Sequence, residues 1–441
     1  MSDSYKILII ISEYTPYIHP RAHRWRVLAA HWAQAGHDVQ VLTAKPKGTV
    51  SEAMEAGVRV HRVGLSGLKE FVNSFLPSKT HKGVANSGQP KASKLNTVLM
   101  FLNDKIWRKL VWPDDAAIWY NAACKKGISI IETEAPDVII SVSLPFTASR
   151  VGAFLKTKYP DIAFIADFGD PFSLQKSALS SSQFLYKQKN EKEDLRILQL
   201  VDCLTVTTEE TKQKYLKFSP QLAQKIAVIP PLLNIETPSE NSDLIDFDEH
   251  KIHVAYFGSF YPNTREPDAL LQIWEHFQQH FEHEASTVQL HFFGNINSTF
   301  LQKINNVSRV TCHGLLDRNA VAACMQKVDF LLNIGNMTTA QLPSKAVDYL
   351  RAGKPIIHIN YQKNDLFKAF FDDYPYFLSL DVENDLVQNA TNLVTFLTEN
   401  INQKVDESYI NERSEPYLTP AIAAQYMACI KKVLPTHADN T

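Results

Sequence analysis

Gln341-Leu342-Pro343-Ser344-Lys345-Ala346-Val347-Asp348-Tyr349-Leu350-Arg351-Ala352-Gly353-Lys354-Pro355 reads as a loop, a short helix and the approach to a buried strand. Pro343 suits the first helical position, where a missing N–H and a fixed φ are harmless. Gly353 suits the left-handed cap, and Pro355 blocks continuation. Ala346, Val347 and Leu350 then form the buried stripe, which leaves Lys345 and Asp348 close together on another face. A helix start presents unpaired N–H groups and the positive end of the macrodipole, so it attracts anions. Ser344 and Lys345 add a hydroxyl and an ammonium at that spot. Asp348, one turn on, can accept hydrogen bonds from a pair of sugar hydroxyls. Phosphate beside ribose describes a nucleoside diphosphate pocket. Spacing alone favours a plainer reading, a surface helix whose Lys and Asp form a weak i,i+3 pair.

The same residues resemble a known pattern. Leu342-Pro343-Ser344-Lys345, Asp348-Tyr349-Leu350 and Ala352-Gly353-Lys354-Pro355 are similar to the nucleotide-sugar motif of the GT-B fold glycosyltransferases of family four. The resemblance implies that Asp348, where the family usually has Glu, contacts the nucleotide ribose. Many members carry a second Glu at the place of Ala340, so the usual pair of carboxylates is incomplete here. Gln341 lies in the same donor loop.

Composition sets the outer limits. A chain of 441 residues suggests two domains. A formal charge of −2 argues against a general nucleic-acid binder. The five cysteines are scattered, with no C-x-x-C pair, which fits a reducing compartment and no zinc site. The N-terminus lacks the order of a signal peptide, and no apolar run reaches the roughly 20 residues of a membrane span. The expectation is a cytoplasmic protein, soluble or resting on the inner face of the membrane.

Lys6 to Ile11 is the first strand, continuously apolar as in a parallel sheet covered on both faces. A polar loop containing Tyr14, His19 and Arg21 follows, then an amphipathic helix from about Ala22 to Ala35, then a strand at Asp38 to Thr43. This is a Rossmann-like opening without the G-x-G-x-x-G fingerprint, which weakens a dehydrogenase reading. Gly36-His37-Asp38-Val39-Gln40-Val41-Leu42-Thr43 is similar to the family's own opening. Residues 67 to 94 read as an excursion rich in Lys, Ser, Gly and Asn. From 95 to 112 apolar residues recur at helical spacing beside Lys105, Arg108 and Lys109. That segment reads either as a helix resting on anionic lipid through Trp107 or as a core-packed helix with a basic edge.

Pro136 to Ser141 is a further strand, with a helix from Pro145 to Lys158 after it. Ala163 to Phe168 is another strand, with Asp167 and Asp170 at its carboxyl end, where doubly wound sheets meet ligands. Asp167-Phe168-Gly169-Asp170-Pro171 resembles a motif of polysaccharide-building family members, making both aspartates acceptor-side candidates. Loop hydrogen bonding and helix capping is the equal alternative. Residues 236 to 250 form an acidic linker. Asp246-Phe247-Asp248 within it is formally a DxD, but a solvated linker is no rigid metal scaffold, and no metal is expected. His276 and His280 lack the Glu and third ligand of a metalloprotease helix.

His253 to Phe260 opens the second half, which alternates strands and helices through 251 to 418. Gly258-Ser259 lets backbone N–H groups approach a ligand. Arg265 can fork onto a diphosphate. The family usually has an Arg and a Lys after the glycine at this place, and they bind the donor phosphates. Here only Arg265 is present in the short stretch, and Lys345 at the helix start is the second cation expected at the diphosphate. The resemblance also implies that Gly294, His313 and Gly314 line the base pocket. Thr419 to Leu434 reads as a terminal helix, which in this fold crosses back to the first domain.

The sequence therefore predicts an α/β protein of two Rossmann-like doubly wound domains facing a cleft. These are an acceptor domain over 1–235, a linker over 236–250 and a donor domain over 251–418, with 419–441 returning to the first. The implied activity is transfer of a sugar from a nucleotide-diphosphate sugar to a hydroxyl of a glycan or lipid-linked acceptor, with retention and no cofactor. A nucleotide-sugar epimerase and a non-catalytic nucleotide-sugar-binding protein are the rivals.

Overall fold

The computed structural model describes the chain outside residues 1–3, 18, 66–110, 175–185, 234–244, 317, 338–341, 344 and 435–441. The basic stretch 95–112, with Trp107 and Arg108, thus lies outside the described residues except for Val111 and Trp112. So do Ala340, Gln341 and Ser344 of the donor loop.

The chain folds as two compact units, Met1–Pro230 with Thr419–Thr441, and Pro231–Leu418. The first is built on eight strands: β1 Lys6–Ile10, β2 Asp38–Ala44, β3 Glu52–Glu55, β4 Val58–Val63, β5 Val138–Ser143, β6 Ala163–Phe168, β7 Cys203–Val206 and β8 Ile226–Val228. Their order is β3-β4-β2-β1-β5-β6-β7-β8. All pairs are parallel except β3 with β4. Ile7 to Ile10 are wholly buried, as expected of a strand with helices on both faces. The strand order reverses between β1 and β5, and a crevice opens at such a point beyond the carboxyl ends.

The second unit has six parallel strands: β9 Ile252–Phe257, β10 Val288–Phe293, β11 Val310–Gly314, β12 Phe330–Ile334, β13 Ile356–Asn360 and β14 Phe377–Asp381. Their order, β11-β10-β9-β12-β13-β14, places the reversal between β9 and β12. Aromatic residues fill one side of this sheet, with Tyr256, Phe260, Phe292 and Trp274 packed together. Helix Lys345–Ala352 covers the other through Ala346, Tyr349 and Leu350.

Helix Thr419–Val433 belongs to the first unit, where it packs on helix Pro20–Gln34. Trp25 and Trp32 meet Tyr426 at ring-centre distances of 5.1 and 6.0 Å. No helix among the described residues is long and apolar enough to cross a membrane.

Among the boundaries that differ from the sequence reading, two bear on the candidate sites. The first long helix starts at Pro20 because His19 caps it, its Nδ1 accepting from the Arg21 N–H at 3.2 Å. The donor-loop helix starts at Lys345 and not at Pro343, whose carbonyl accepts the Ala346 N–H at 2.9 Å in the turn before it. Its end is as read, with Gly353 at φ +65°.

Candidate functional site

Two cations and three glycines gather at the switch point of the second unit. Gly258 follows β9 directly. A Cβ added there would stand 2.7 Å from the Tyr256 hydroxyl and 3.4 Å from Lys345 Nζ. Gly294, after β10, has φ +145°, and a Cβ there would strike the Gly258 carbonyl. The Gly294 N–H donates to Gly314 O at 2.8 Å, tying the end of β10 to the end of β11. Ser259 Oγ accepts from the Asn295 N–H at 3.3 Å. Close backbone approach across three strand ends is thus what these glycines permit.

Two cations converge beside them. The stem of Lys345 is half-buried, but its Nζ is buried and has no hydrogen-bond partner among the described residues. The ammonium lies 4.2 Å from the centre of the Tyr256 ring, a cation–π contact that offsets part of its desolvation. Arg265 is held from two directions. Its Nε and Nη2 donate to Asn336 Oδ1 at 3.1 and 2.7 Å, and Nη1 reaches the Tyr256 hydroxyl at 3.5 Å. Asn336 follows β12, so this clamp spans the switch point from β9 to β12. Burial, with the nearby Arg265 charge added, pushes the Lys345 ammonium well below the usual lysine range. Among the described residues neither cation meets a carboxylate within ion-pair distance. A buried charge without a counter-ion is costly, and such an arrangement is suited to an anion supplied by a ligand.

The Lys345–Asp348 pair of the plainer reading does not form, because the ammonium turns inward to Tyr256. Asp348 stays half-buried one turn further along the helix. Tyr349 pins the helix across the switch point, donating to Leu332 O at 2.8 Å and accepting from the Phe257 N–H at 3.4 Å. His313, expected at the base, hydrogen-bonds His291 through Nε2 at 2.9 Å and stacks on Phe293 at 4.4 Å.

In the first unit, three of the acceptor-side candidates meet and two do not join them. Arg21 pairs with Asp170 at 2.8 Å and also donates to the Leu144 carbonyl after β5, bridging that unit's own switch point. His19 lies beside them. Burial and Arg21 lower its pKa, and Asp170 partly opposes that. Tyr14 is buried and lines a separate recess of about 460 Å³ with Thr15, Arg26, His31 and Glu55.

Asp167 is a correction. It is only 4% exposed, and its Oδ1 accepts from Thr205 Oγ1 and from the Tyr426 hydroxyl, both at 2.7 Å. Arg24 Nη2 donates to the same Tyr426 oxygen at 3.1 Å. Asp167 therefore anchors the terminal helix, which takes it out of the acceptor candidates.

The sequence reading missed Tyr256, Asn336 and Tyr349. Asn336 could have been found by asking which polar residue follows the strand that pairs across the switch point. Tyr256 and Tyr349 look like ordinary core aromatics, and their hydroxyls gain meaning only from partners on other strands.

No protein-family model matches this chain, and no curated protein sequence matches it. Solved structures do. Sucrose-phosphate synthase from Thermosynechococcus elongatus superposes with a TM-score of 0.64 at 15% identity, over 97% of this chain and 98% of that one. WaaG, a glycosyltransferase involved in lipopolysaccharide biosynthesis, gives 0.57 at 12% identity over 96% and 98%. The trehalose-6-phosphate protein of E. coli, bound with UDP-2-fluoro glucose, gives 0.62 at 10% identity over 98% and 100%. Identities this low speak for the fold alone. With two parallel α/β units that match these structures over nearly their whole length, the chain has the GT-B fold.

Proposed function

We propose that this protein is a glycosyltransferase that moves a sugar from a nucleotide-diphosphate donor to a hydroxyl of a glycan or lipid-linked acceptor in cell-surface polysaccharide biosynthesis. The observation that carries the reading is the uncompensated pair Arg265 and Lys345 beside Gly258 at the switch point. A diphosphate placed there would satisfy both cations. It would satisfy them more fully as the bond from the anomeric carbon to the phosphate oxygen breaks and charge grows on the departing group. Preorganised charge of this kind is commonly the largest single term in such catalysis. The two cations supply the neutralisation that a divalent ion would otherwise give, so we propose a metal-independent reaction. Retention at the anomeric carbon is what the resemblance implies. Asp348 would hold the ribose, and Gly258, Ser259, Gly294, Gly314, Gln341 and Ser344 the rest of the donor.

On the acceptor side the reading keeps His19, Arg21 and Asp170, an ion pair with a histidine at a crevice of the first unit. The neighbours support it by kind: one is bound with UDP-2-fluoro glucose and another is a glycosyltransferase involved in lipopolysaccharide biosynthesis. A cytoplasmic protein using a lipid-linked acceptor would work at the membrane face. Flotation with anionic vesicles, lost on replacing Trp107 and Arg108, is the check on that.

The direct test is a thermal-shift screen of the purified protein against UDP-, GDP- and other nucleotide sugars, followed by product analysis with and without candidate acceptors. A shift that disappears in Lys345→Ala supports the donor site. Sugar transfer supports the enzyme, isomerised donor the epimerase, and binding without turnover a non-catalytic protein.

A further inference from the structure

His253, His291 and His313 form a single file across three adjacent strands. The sheet register pairs Gln289 with His253 and Thr311 with His291. His291 thus stands two residues beyond the partner of His253 on the same face. His313 is the extra residue where the register slips between Cys312 and Gly314, and its ring meets that of His291, so the file climbs toward the carboxyl end of β11. His253 Nδ1 lies 2.9 Å from His291 Nε2, and His291 Nδ1 lies 2.9 Å from His313 Nε2. At the lower end, His253 Nε2 lies 2.9 Å from the carbonyl oxygen of Asp248. Phe247 covers the first two rings edge-on at 4.9 and 5.2 Å, and Phe293 stacks flat under the third.

The chemistry of this file has one neutral solution. A carbonyl oxygen only accepts, so His253 Nε2 must carry the proton and its Nδ1 must be bare. His291 Nε2 then has to be the donor, which leaves His291 Nδ1 bare and makes His313 Nε2 the next donor. His313 Nδ1 is left as an unprotonated acceptor. It has no partner among the described residues, and the residue is only half-buried. Burial, with the two neighbouring rings, holds His291 at a pKa of about 3, so the middle of the file stays neutral at physiological pH. Burial also lowers His313.

The position of that acceptor matters. Gly314 beside it is tied to Gly294, which packs on Gly258, which adjoins Lys345. From β9 to β11 is two ladder steps, about 10 Å. This is comparable with the reach from the diphosphate to the base in an extended nucleoside diphosphate. Resting on the donor-site reading above, we infer that the histidine file fixes His313 as a hydrogen-bond acceptor that reads a ring N–H of the donor's base. Uracil and guanine offer a ring N–H on their pairing edges. The corresponding ring nitrogens of cytosine and adenine are bare and meet the lone pair of Nδ1 unfavourably. His313 is the specificity residue, and His253 and His291 are positioning residues that act through it.

The test is calorimetric titration of the full chain with UDP, GDP, CDP and ADP. UDP or GDP should bind at least about tenfold more tightly than CDP and ADP, the worth of one good polar discrimination. His313→Phe, which keeps the stacked ring and loses the acceptor, should bring the four within about twofold. His313→Gln, which restores an amide oxygen, should recover part of the preference. In wild type, the ¹⁵N shift of His313 Nδ1 should be that of an unprotonated nitrogen, and His291→Phe should move it toward the protonated form. A purely structural role for His291 would leave that signal in place. Undiminished base preference in His313→Phe, or a protonated Nδ1 in wild type, overturns the inference. So does diphosphate binding that depends on Lys345 but shows no base preference. If no diphosphate binds, or binding ignores Lys345→Ala, the donor-site reading falls and the inference falls with it.

Discussion

Lys345 concentrates the residue-scale argument. Its ammonium is held below the usual lysine range by burial first and Arg265 second. The unfolded chain therefore binds more protons than the folded one between the lowered value and the ordinary value near 10.4. Stability rises with pH across that window, and the full cost is present below it. Lys345→Met should raise the stability of the ligand-free protein by about 1–3 kcal/mol near neutral pH. The gain should shrink toward pH 10, as urea unfolding at both pH values would show. The same substitution should weaken nucleoside diphosphate binding at least about tenfold. Because a bound diphosphate favours the charged form, binding at alkaline pH should take up a proton, visible as a dependence of the calorimetric heat on the buffer. In the first unit, Asp170→Asn removes the ionic partner of Arg21 and should lower sugar transfer while leaving donor binding unchanged. The place of Lys345 at a helix start was legible in the sequence, but its inward turn was not. That turn depends on Tyr256, a strand residue far away in the chain, and on Arg265 being occupied by Asn336.

At the scale of elements, the terminal helix is the sharpest case. Asp167 looked like a ligand residue because it ends a strand at the right edge of the sheet, and position alone could not say that Tyr426 reaches it. Tyr426→Phe removes the donor to a buried carboxylate and an acceptor from Arg24. It should cost about 1–3 kcal/mol, read as a lower urea midpoint by the fluorescence of Trp25 and Trp32. Diphosphate binding should be unaffected, since Lys345 belongs to the other unit. The parallel strands were readable because their apolar runs are continuous. The antiparallel pair β3 and β4 was missed because β3, Glu52–Glu55, is half polar and short. Its turn at Ala56-Gly57, with φ of +50° and +81°, was the available signal.

At the scale of the molecule, both strand orders reverse beside their first strand, and each unit gathers its charged candidates at that reversal. The architecture was legible because alternation of strand and helix leaves few topologies open. The base and the acceptor were not, since they depend on side chains brought together from separate strands. A matching nucleotide sugar at about 100 times its dissociation constant should add about 2.7 kcal/mol to the stability of whatever it binds. That stabilisation should vanish in Lys345→Ala, as a thermal melt would report. The placement of helix Thr419–Val433 has one more consequence, for biosynthesis. The first unit is finished by a segment that leaves the ribosome only after all of the second has been made. Through that interval the nascent chain carries Trp25 and Trp32 without the helix that covers them. The second unit is free to fold first, the reverse of the usual order of translation. A ribosome that stalls before Tyr426 releases a chain whose second unit is complete and whose first unit leaves Trp25 and Trp32 uncovered, a ready substrate for chaperones and proteases.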